Sequence, residues 1–269
     1  MGSRERPHPS RLLPGAMATA APTLELHGIT KAFGSVQALD DVDFEVRSGE
    51  VMALVGDNGA GKSTLIKCVP GIYPIDAGVI RFDGREVHIH GPKDAAQLGI
   101  EVVYQDLALC DNLDVVQNMF LGREVRTPLF RLKEAPMEQR TAETLASLSV
   151  TTIQSVRQPV ASLSGGQRQS VAVARAVLWN SRVVILDEPT AALGVAQTRQ
   201  VLDLVKRLAE QGLAVAIISH NLNDVFEVAD RITVLRLGRA VGVYERERTT
   251  QQEVVAAITF GIPERESAA

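Results

Sequence analysis

The chain has 269 residues, 45% of them hydrophobic, and a formal net charge of −4. This length and composition are typical of a globular protein with a buried core, and the acidic balance excludes a broadly basic nucleic-acid-binding surface. The two cysteines, Cys68 and Cys110, lack C-x-x-C spacing, so we expect reduced thiols and no cysteine metal site.

The two ends of the chain carry no periodic pattern. Residues 1–22 are rich in Pro, Arg, Ala and Ser and are predicted to form a disordered leader, and residues 263–269 a loose tail. Residues 23–262 are predicted to form one ordered domain. No apolar run approaches the roughly 18 residues that a membrane-spanning helix needs, so we expect none.

Two segments near the start, residues 24–27 and 42–46, alternate between apolar and polar side chains. Such alternation predicts strands of an antiparallel sheet with one face in water. Residues 51–55 are instead continuously apolar, which indicates a strand of a parallel core that is buried on both faces. Phe33 lies in the predicted loop between the first two strands, where it is either a core anchor or a stacking platform for a nucleobase.

Residues 56–64 match the phosphate-binding loop pattern G-x-x-x-x-G-K-[ST], with a strand before them and a predicted helix from Lys62 to about Val69 after them. In such a loop, backbone N–H groups and the helix N-terminus face phosphate oxygens. Lys62 would reach the β and γ phosphates, and the Ser63 hydroxyl would ligate Mg²⁺. The alternative is a glycine-rich turn that only connects a strand to a helix. The predicted nucleotide-binding residues are Gly56, Asp57, Asn58, Gly59, Ala60, Gly61, Lys62, Ser63 and Thr64.

Beyond the loop, the pattern predicts strands and helices in alternation. Between residues 106 and 163 the strand patterns disappear, and helices are predicted at 115–121 and 137–148, with Pro136 near the start of the second. This block is therefore predicted to be a helical subdomain inserted into an α/β core. The remaining predictions are strands at 77–84, 100–104, 183–186 and 213–219, a hairpin over 232–244, and helices at 94–98, 164–179, 198–211, 222–229 and 250–258.

Polar groups follow three of the predicted strands: Gln105, the pair Asp187 and Glu188, and His220. Ligands of open α/β sheets bind at the carboxyl ends of strands, where the phosphate loop also lies. Asp187 would hold Mg²⁺, Glu188 would orient and deprotonate the attacking water, His220 would contact the γ-phosphate, and Gln105 would sense metal and water. Taken singly, each residue is equally consistent with a solvated strand end or a satisfied core side chain.

Residues 163–167, Leu-Ser-Gly-Gly-Gln, form a second glycine-rich helix start. Their spacing predicts a second phosphate-binding device at a helix N-terminus. The residues assigned to it are Ser164, Gly165, Gly166 and Gln167.

With these motifs in this order, the chain resembles the ATPase subunit of ATP-binding-cassette (ABC) transporters over about residues 24–262. The resemblance implies an α/β P-loop NTPase (RecA-like) fold: a parallel-sheet core with an antiparallel β subdomain and an inserted helical subdomain. It implies ATP hydrolysis with Mg²⁺, an aromatic contact to ATP from Phe33, and a head-to-tail dimer. In that dimer, Ser164, Gly165 and Gly166 contact the partner's ATP, and residues 106–163 contact a membrane permease, with Gln105 as the hinge.

Residues 57–62, 99–107 and 118–124 resemble bacterial monosaccharide importers of the ribose, xylose and fructose type. This resemblance implies a homodimer on the cytoplasmic face of the inner membrane that powers sugar uptake, with a periplasmic solute-binding protein acting indirectly and no nucleic-acid partner. An ABC ATPase for another solute or for export, and a soluble ABC protein outside transport, stay open as alternatives. One departure from the family pattern is Gly194, which stands where the family usually has an aspartate that links the two sites.

Overall fold

Two β-sheets form the frame of the molecule in the computed structural model, which describes residues 21–129 and 131–261. The strands are β1 (Pro22–Phe33), β2 (Val36–Arg47), β3 (Val51–Val55), β4 (Ala77–Phe82), β5 (Arg85–Val87), β6 (Ile100–Val103), β7 (Val183–Asp187), β8 (Ala214–Ile218), β9 (Arg231–Arg236) and β10 (Arg239–Glu245). The α-helices are α1 (Lys62–Cys68), α2 (Pro92–Leu98), α3 (Val115–Phe120), α4 (Glu134–Ser147), α5 (Gly165–Val177), α6 (Val195–Glu210), α7 (Leu222–Val228) and α8 (Gln251–Phe260).

The larger sheet has the strand order β10-β9-β3-β8-β7-β6. All neighbours pair in parallel except β10, which forms a hairpin with β9. Val51 and Ala53 face one hydrophobic core, and Met52 and Leu54 face the other, so β3 is buried on both sides. This arrangement confirms the parallel core that the continuous apolar run predicted.

The smaller sheet is antiparallel, with the order β2-β1-β4-β5, and it confirms the second sheet that the alternating patterns predicted. Its inward side chains, such as Leu24, Leu26 and Phe44, pack against the core that covers one face of the larger sheet. The strands are longer than predicted. Phe33 is the last residue of β1 and pairs with Val36, so its assignment to a loop was wrong.

Between residues 106 and 163, the described part of the chain contains α3, α4 and a single turn of 3₁₀ helix, with isolated bridges in place of strands. Arg157 ties this block together through ion pairs with Asp114 at 3.4 Å, Glu134 at 3.2 Å and Glu138 at 2.9 Å. The start of α4 was predicted too late. Pro136 is its third residue, where the backbone N–H has no partner within the helix and proline is tolerated.

The division into leader, ordered domain and tail stays a prediction, because residues 1–20 and 262–269 lie outside the described residues. Within the described residues, β1 starts at Pro22, one residue before the predicted start of the ordered domain. None of the helices described is both long and apolar enough to cross a bilayer.

The parallel strands bring their carboxyl ends to one edge of the larger sheet. β3, β7 and β8 are neighbours, with Leu54 and Asp187 each aligned with Ile218. The segments that follow these strands begin with Gly56, Glu188 and Ser219, respectively. This edge is where the predicted site residues meet.

Candidate active site

The phosphate-binding loop needs glycine at two positions. Gly56 has φ 154°, and a Cβ there would lie 2.1 Å from the carbonyl oxygen of Leu235. Gly61 has φ 105°, and its Cβ would lie 2.7 Å from the carbonyl oxygen of Ala38. Only glycine allows the loop to pass so close to the neighbouring backbone with these dihedral angles. The loop is thereby held against β9 and β2.

Lys62 is buried inside this loop at the start of α1. Its Nζ donates hydrogen bonds to the carbonyl oxygens of Gly56 at 2.7 Å and Asp57 at 3.0 Å. Burial lowers the pKa of Lys62, and the nearby carboxylates, Glu188 first, oppose that shift. The loop therefore wraps around a desolvated lysine, while Asn58, Gly59 and Ser63 are exposed at its rim.

Two adjacent carboxyl groups end β7. Asp187 is the last residue of the strand, and its pKa is raised by burial and then by the charge of Glu188. Glu188 has φ 51°, and its backbone N–H donates to the carbonyl oxygen of Ile218 at 2.9 Å. This left-handed conformation is uncommon outside glycine and tends to cluster at active sites.

Glu188 and His220 contact each other directly. The Glu188 Oε2 lies 2.8 Å from the His220 Nδ1, and the glutamate side chain is 15% exposed while that of the histidine is 68% exposed. The histidine thus covers the carboxylate from the solvent side. Sequence reasoning placed both residues at the same sheet edge but did not foresee this bond, because neither local pattern encodes a contact over 32 positions.

The oxygen groups predicted to hold magnesium suit that ion. A serine hydroxyl at Ser63, a carboxylate at Asp187 and an amide oxygen at Gln105 are hard oxygen ligands. No group of three or more His, Cys, Asp or Glu residues that could cage a metal occurs among the residues described. Mg²⁺ needs no such cage, because it usually keeps several waters and takes phosphate oxygens with one or two carboxylates. Gln105 lies exposed two residues beyond β6, one strand away from Asp187.

A cavity of about 350 Å³ opens beside the loop. Asp57 and Asn58 form one wall, His220 forms another, and Val255 and Ile258 of α8 close the third. No local pattern predicted that α8 lines the same cavity as the phosphate loop.

The second predicted phosphate-binding motif, residues 163–167, forms the N-terminal cap of α5. The Ser164 Oγ accepts from the Gln167 N–H at 3.3 Å, and the Ser164 N–H donates to Gln167 Oε1 at 2.8 Å. A Cβ on Gly165 would lie 2.9 Å from Leu193 Cδ2, and one on Gly166 would lie 3.1 Å from Gln197 Cβ. These glycines therefore also allow close packing against the start of α6, a role that sequence reasoning missed.

Among the residues described, Phe33 and Gly194 form no hydrogen bond, ion pair or ring contact with Lys62, Asp187, Glu188 or His220. The Phe33 ring is 44% exposed and meets Tyr73 edge-on with centroids 5.1 Å apart. Gly194 has an ordinary extended φ of −75°, and a Cβ there would meet nothing within 4 Å. Neither the backbone conformation nor the space around a Cβ thus requires glycine at this position.

Comparisons with known proteins agree with this geometry. The sequence profile of the family described as "ABC transporter" matches residues 39–191. The fructose import ATP-binding protein FrcA of Rhizobium meliloti is 48% identical over 88% of this chain and 94% of its own length. The xylose/arabinose import ATP-binding protein XylG of Sulfolobus acidocaldarius is 47% identical over 88% and 93%, respectively.

The fold also matches solved structures. An ATP-binding cassette of an ABC transporter in its ADP conformation superposes with a TM-score of 0.77 and 25% identity, over 90% of this chain and 96% of that one. The match extends beyond the residues of the family profile to almost the whole described chain. These findings show that the chain belongs to the ABC transporter family and is an ATP-binding ATPase of that family.

Proposed function

We propose that this ATPase is the energising subunit of an importer that takes up a monosaccharide through a separate membrane permease. The observation that carries the proposal is a site in which Glu188 and His220 pair at 2.8 Å on the sheet edge that also bears Lys62 and Asp187. This site lies in a chain that matches two sugar-import ATP-binding proteins over more than nine tenths of their length.

The phosphate loop holds the triphosphate. Its backbone N–H groups and the N-terminus of α1 face the phosphate oxygens, and Lys62 exchanges the carbonyls of Gly56 and Asp57 for the β and γ phosphates. Ser63, Asp187 and Gln105 would hold Mg²⁺, which neutralises phosphate charge when bound. The raised pKa of Asp187 fits a carboxyl group in a low-polarity site beside a second carboxylate, where a cation is favoured.

Glu188 is the general base. Its Oε2 is bound to His220, which leaves Oε1 to accept a proton from water. The water oxygen attacks the γ-phosphorus, the bond to the β–γ bridging oxygen breaks, and ADP and inorganic phosphate result. Nδ1 of His220 donates to the Glu188 carboxylate, so Nε2 donates to a γ-phosphate oxygen in the doubly protonated imidazolium form, in which both ring nitrogens carry a proton. The histidine thus links the base to the phosphate that is cleaved.

Two copies of the chain together form two complete ATP sites. Ser164 and Gly165 are exposed at the N-terminus of α5, and no hydrogen bond within the described chain joins residues 163–167 to residues 56–64. A second copy, placed head to tail, brings Ser164, Gly165, Gly166 and Gln167 to the γ-phosphate of this chain's ATP. The partial positive charge at the start of α5 favours that contact.

Closure of the dimer is the step that does mechanical work. Residues 106–163 transmit the motion to a permease, and Gln105 links this block to the ATP site. In this proposal the chain works at the cytoplasmic face of the inner membrane, and a periplasmic sugar-binding protein delivers the sugar on the other side. We expect neither that protein nor nucleic acid to bind the chain directly.

Reconstitution tests the proposal. The chain is assembled in lipid vesicles with a sugar-importer permease from the same organism, and ATP hydrolysis and sugar uptake are measured with and without the sugar-loaded binding protein. We expect the loaded binding protein to stimulate hydrolysis and sugar to accumulate on the ATP side. A hydrolysis rate that does not change when the sugar-loaded binding protein is added, or solute movement away from the ATP side, would contradict the importer assignment. Neither result would contradict the assignment as an ATPase.

A further inference from the structure

A second bond joins the two turns that carry Glu188 and His220. Thr190 lies two residues after Glu188, and its Oγ1 donates to the Asp224 Oδ2 at 2.6 Å. Asp224 lies four residues after His220, in the first turn of α7. The two turns are therefore tied twice, once at the surface by the Glu188–His220 pair and once beneath it.

This deeper bond is buried. Thr190 is 9% exposed and Asp224 is 7% exposed, whereas His220 stands largely in solvent. A length of 2.6 Å is typical of a hydroxyl bound to an ionised carboxylate, which is a stronger bond than one between neutral groups.

Burying a carboxylate is costly for stability. Such a group loses hydration worth several kcal/mol, and an apolar residue of similar volume is often as stable or more so. The N-terminus of α7 offsets part of this cost through its helix dipole. A leucine or valine in place of Asp224 would fill the same space, so the carboxylate points to a role other than packing.

The turn that holds Glu188 is also strained. Glu188 has φ 51° and Ala192 has φ 59°, two left-handed non-glycine residues within five positions. Such conformations persist only where the surroundings hold them. The backbone bond from Glu188 to Ile218 fixes one end of the turn, and the Thr190–Asp224 bond fixes its middle.

We propose that Thr190 and Asp224 are positioning residues for ATP hydrolysis, which together set the distance between the Glu188 base and His220. This inference rests on the proposed roles of Glu188 and His220. Neither Thr190 nor Asp224 touches the reacting atoms. Because of this bond, α7 and the adjacent His220 move together with the turn that carries Glu188.

Steady-state ATP hydrolysis of threonine variants tests this proposal. Thr190→Val removes the hydroxyl at nearly constant volume and should lower kcat about tenfold or more, with the KM for ATP within about twofold of wild type, because small misplacements of reacting groups cost up to about a hundredfold. Thr190→Ser keeps the hydroxyl and should retain kcat within about twofold. Thr141→Val is the matched control: Thr141 is also buried, but its hydroxyl donates to Met137 within α4, so this change should lower Tm without lowering kcat.

Asp224→Asn provides a second route if Thr190→Val folds poorly. This substitution keeps the shape of the acceptor and removes its charge, and it should lower kcat as Thr190→Val does. The double variant with Thr190→Val should be no slower than Thr190→Val alone, since both substitutions act through one bond. A normal kcat for Asp224→Asn, an equal loss in Thr190→Ser and Thr190→Val, or losses that multiply would overturn the proposal. If Glu188→Gln is inactive while Thr190→Val is normal, only the positioning role fails; an active Glu188→Gln would remove its foundation.

Discussion

Replacing Gly56 by alanine tests whether the phosphate loop depends on close contact with the backbone. The new Cβ would lie 2.1 Å from the carbonyl oxygen of Leu235, about 1.3 Å short of an ordinary 3.4 Å contact. The atom it meets is backbone in β9, so relief requires a movement of the loop itself. That movement displaces the Gly56 carbonyl, which holds Lys62 Nζ at 2.7 Å.

The expected loss can be divided into two parts. An alanine held at φ 154° costs roughly 1–3 kcal/mol, which lowers stability but not necessarily ATP affinity. Displacement of the loop disturbs both Lys62 and the backbone N–H groups of the loop. We therefore expect ATP affinity to fall about tenfold to a hundredfold, which corresponds to roughly 1.4–2.8 kcal/mol of binding free energy. Binding is measured by calorimetric titration with ATP, alongside Tm by thermal unfolding.

Gly84→Ala is the matched control. Gly84 has φ 72°, but a Cβ there would meet nothing within 4 Å, and the residue lies in the turn between β4 and β5. The Gly84→Ala variant should therefore have a lower Tm because of backbone strain, and its ATP affinity should be unchanged. Equal ATP affinity in the Gly56→Ala and Gly84→Ala variants would refute the reasoning from close contact.

Two further predictions concern charge and assembly. The pKa of Asp187 is raised above its ordinary 3.8, so its contribution to stability is greatest below that pH and is lost as pH rises through the folded pKa. Asp187→Asn should then raise the Tm of the nucleotide-free chain at neutral pH while lowering Mg²⁺-dependent hydrolysis by about a hundredfold or more, and a lower Tm would contradict this account. Ser164→Arg should leave ATP binding to a single chain intact but prevent ATP-driven dimerisation, because Ser164 is exposed at the start of α5; normal dimerisation by light scattering would exclude the two-chain site.

Local patterns predicted most of the fold because each element carries its own signal. The continuous apolar run of β3 indicated a doubly buried parallel sheet, and the helix predicted at 250–258 corresponds to α8, which Thr250 and Glu253 cap through two reciprocal bonds. β5 was missed, because three residues, Arg85–Val87, are too short to show a period. α6 begins three residues before its predicted start, since the glycine at its N-cap gives a weak local signal.

The site was only partly predictable for a different reason. Motif spacing assigned Lys62, Asp187, Glu188 and His220 to one sheet edge, and the strand order places them there. The Glu188–His220 bond and the buried Thr190–Asp224 bond each cross more than 30 positions of sequence, so no local pattern contains them. Such contacts follow from the register of β7 against β8, which only the folded sheet specifies.

Glu188→Gln tests at once whether Glu188 is the general base and whether ATP links two chains. Glutamine keeps the shape of the side chain and its contact with His220 but cannot take the proton from water. We expect hydrolysis to fall by about 10²–10⁴-fold. In the same sample, ATP should hold the variant as a stable dimer by light scattering, and ADP should leave it monomeric. Hydrolysis at the wild-type rate, or a variant that stays monomeric with ATP, would contradict the account.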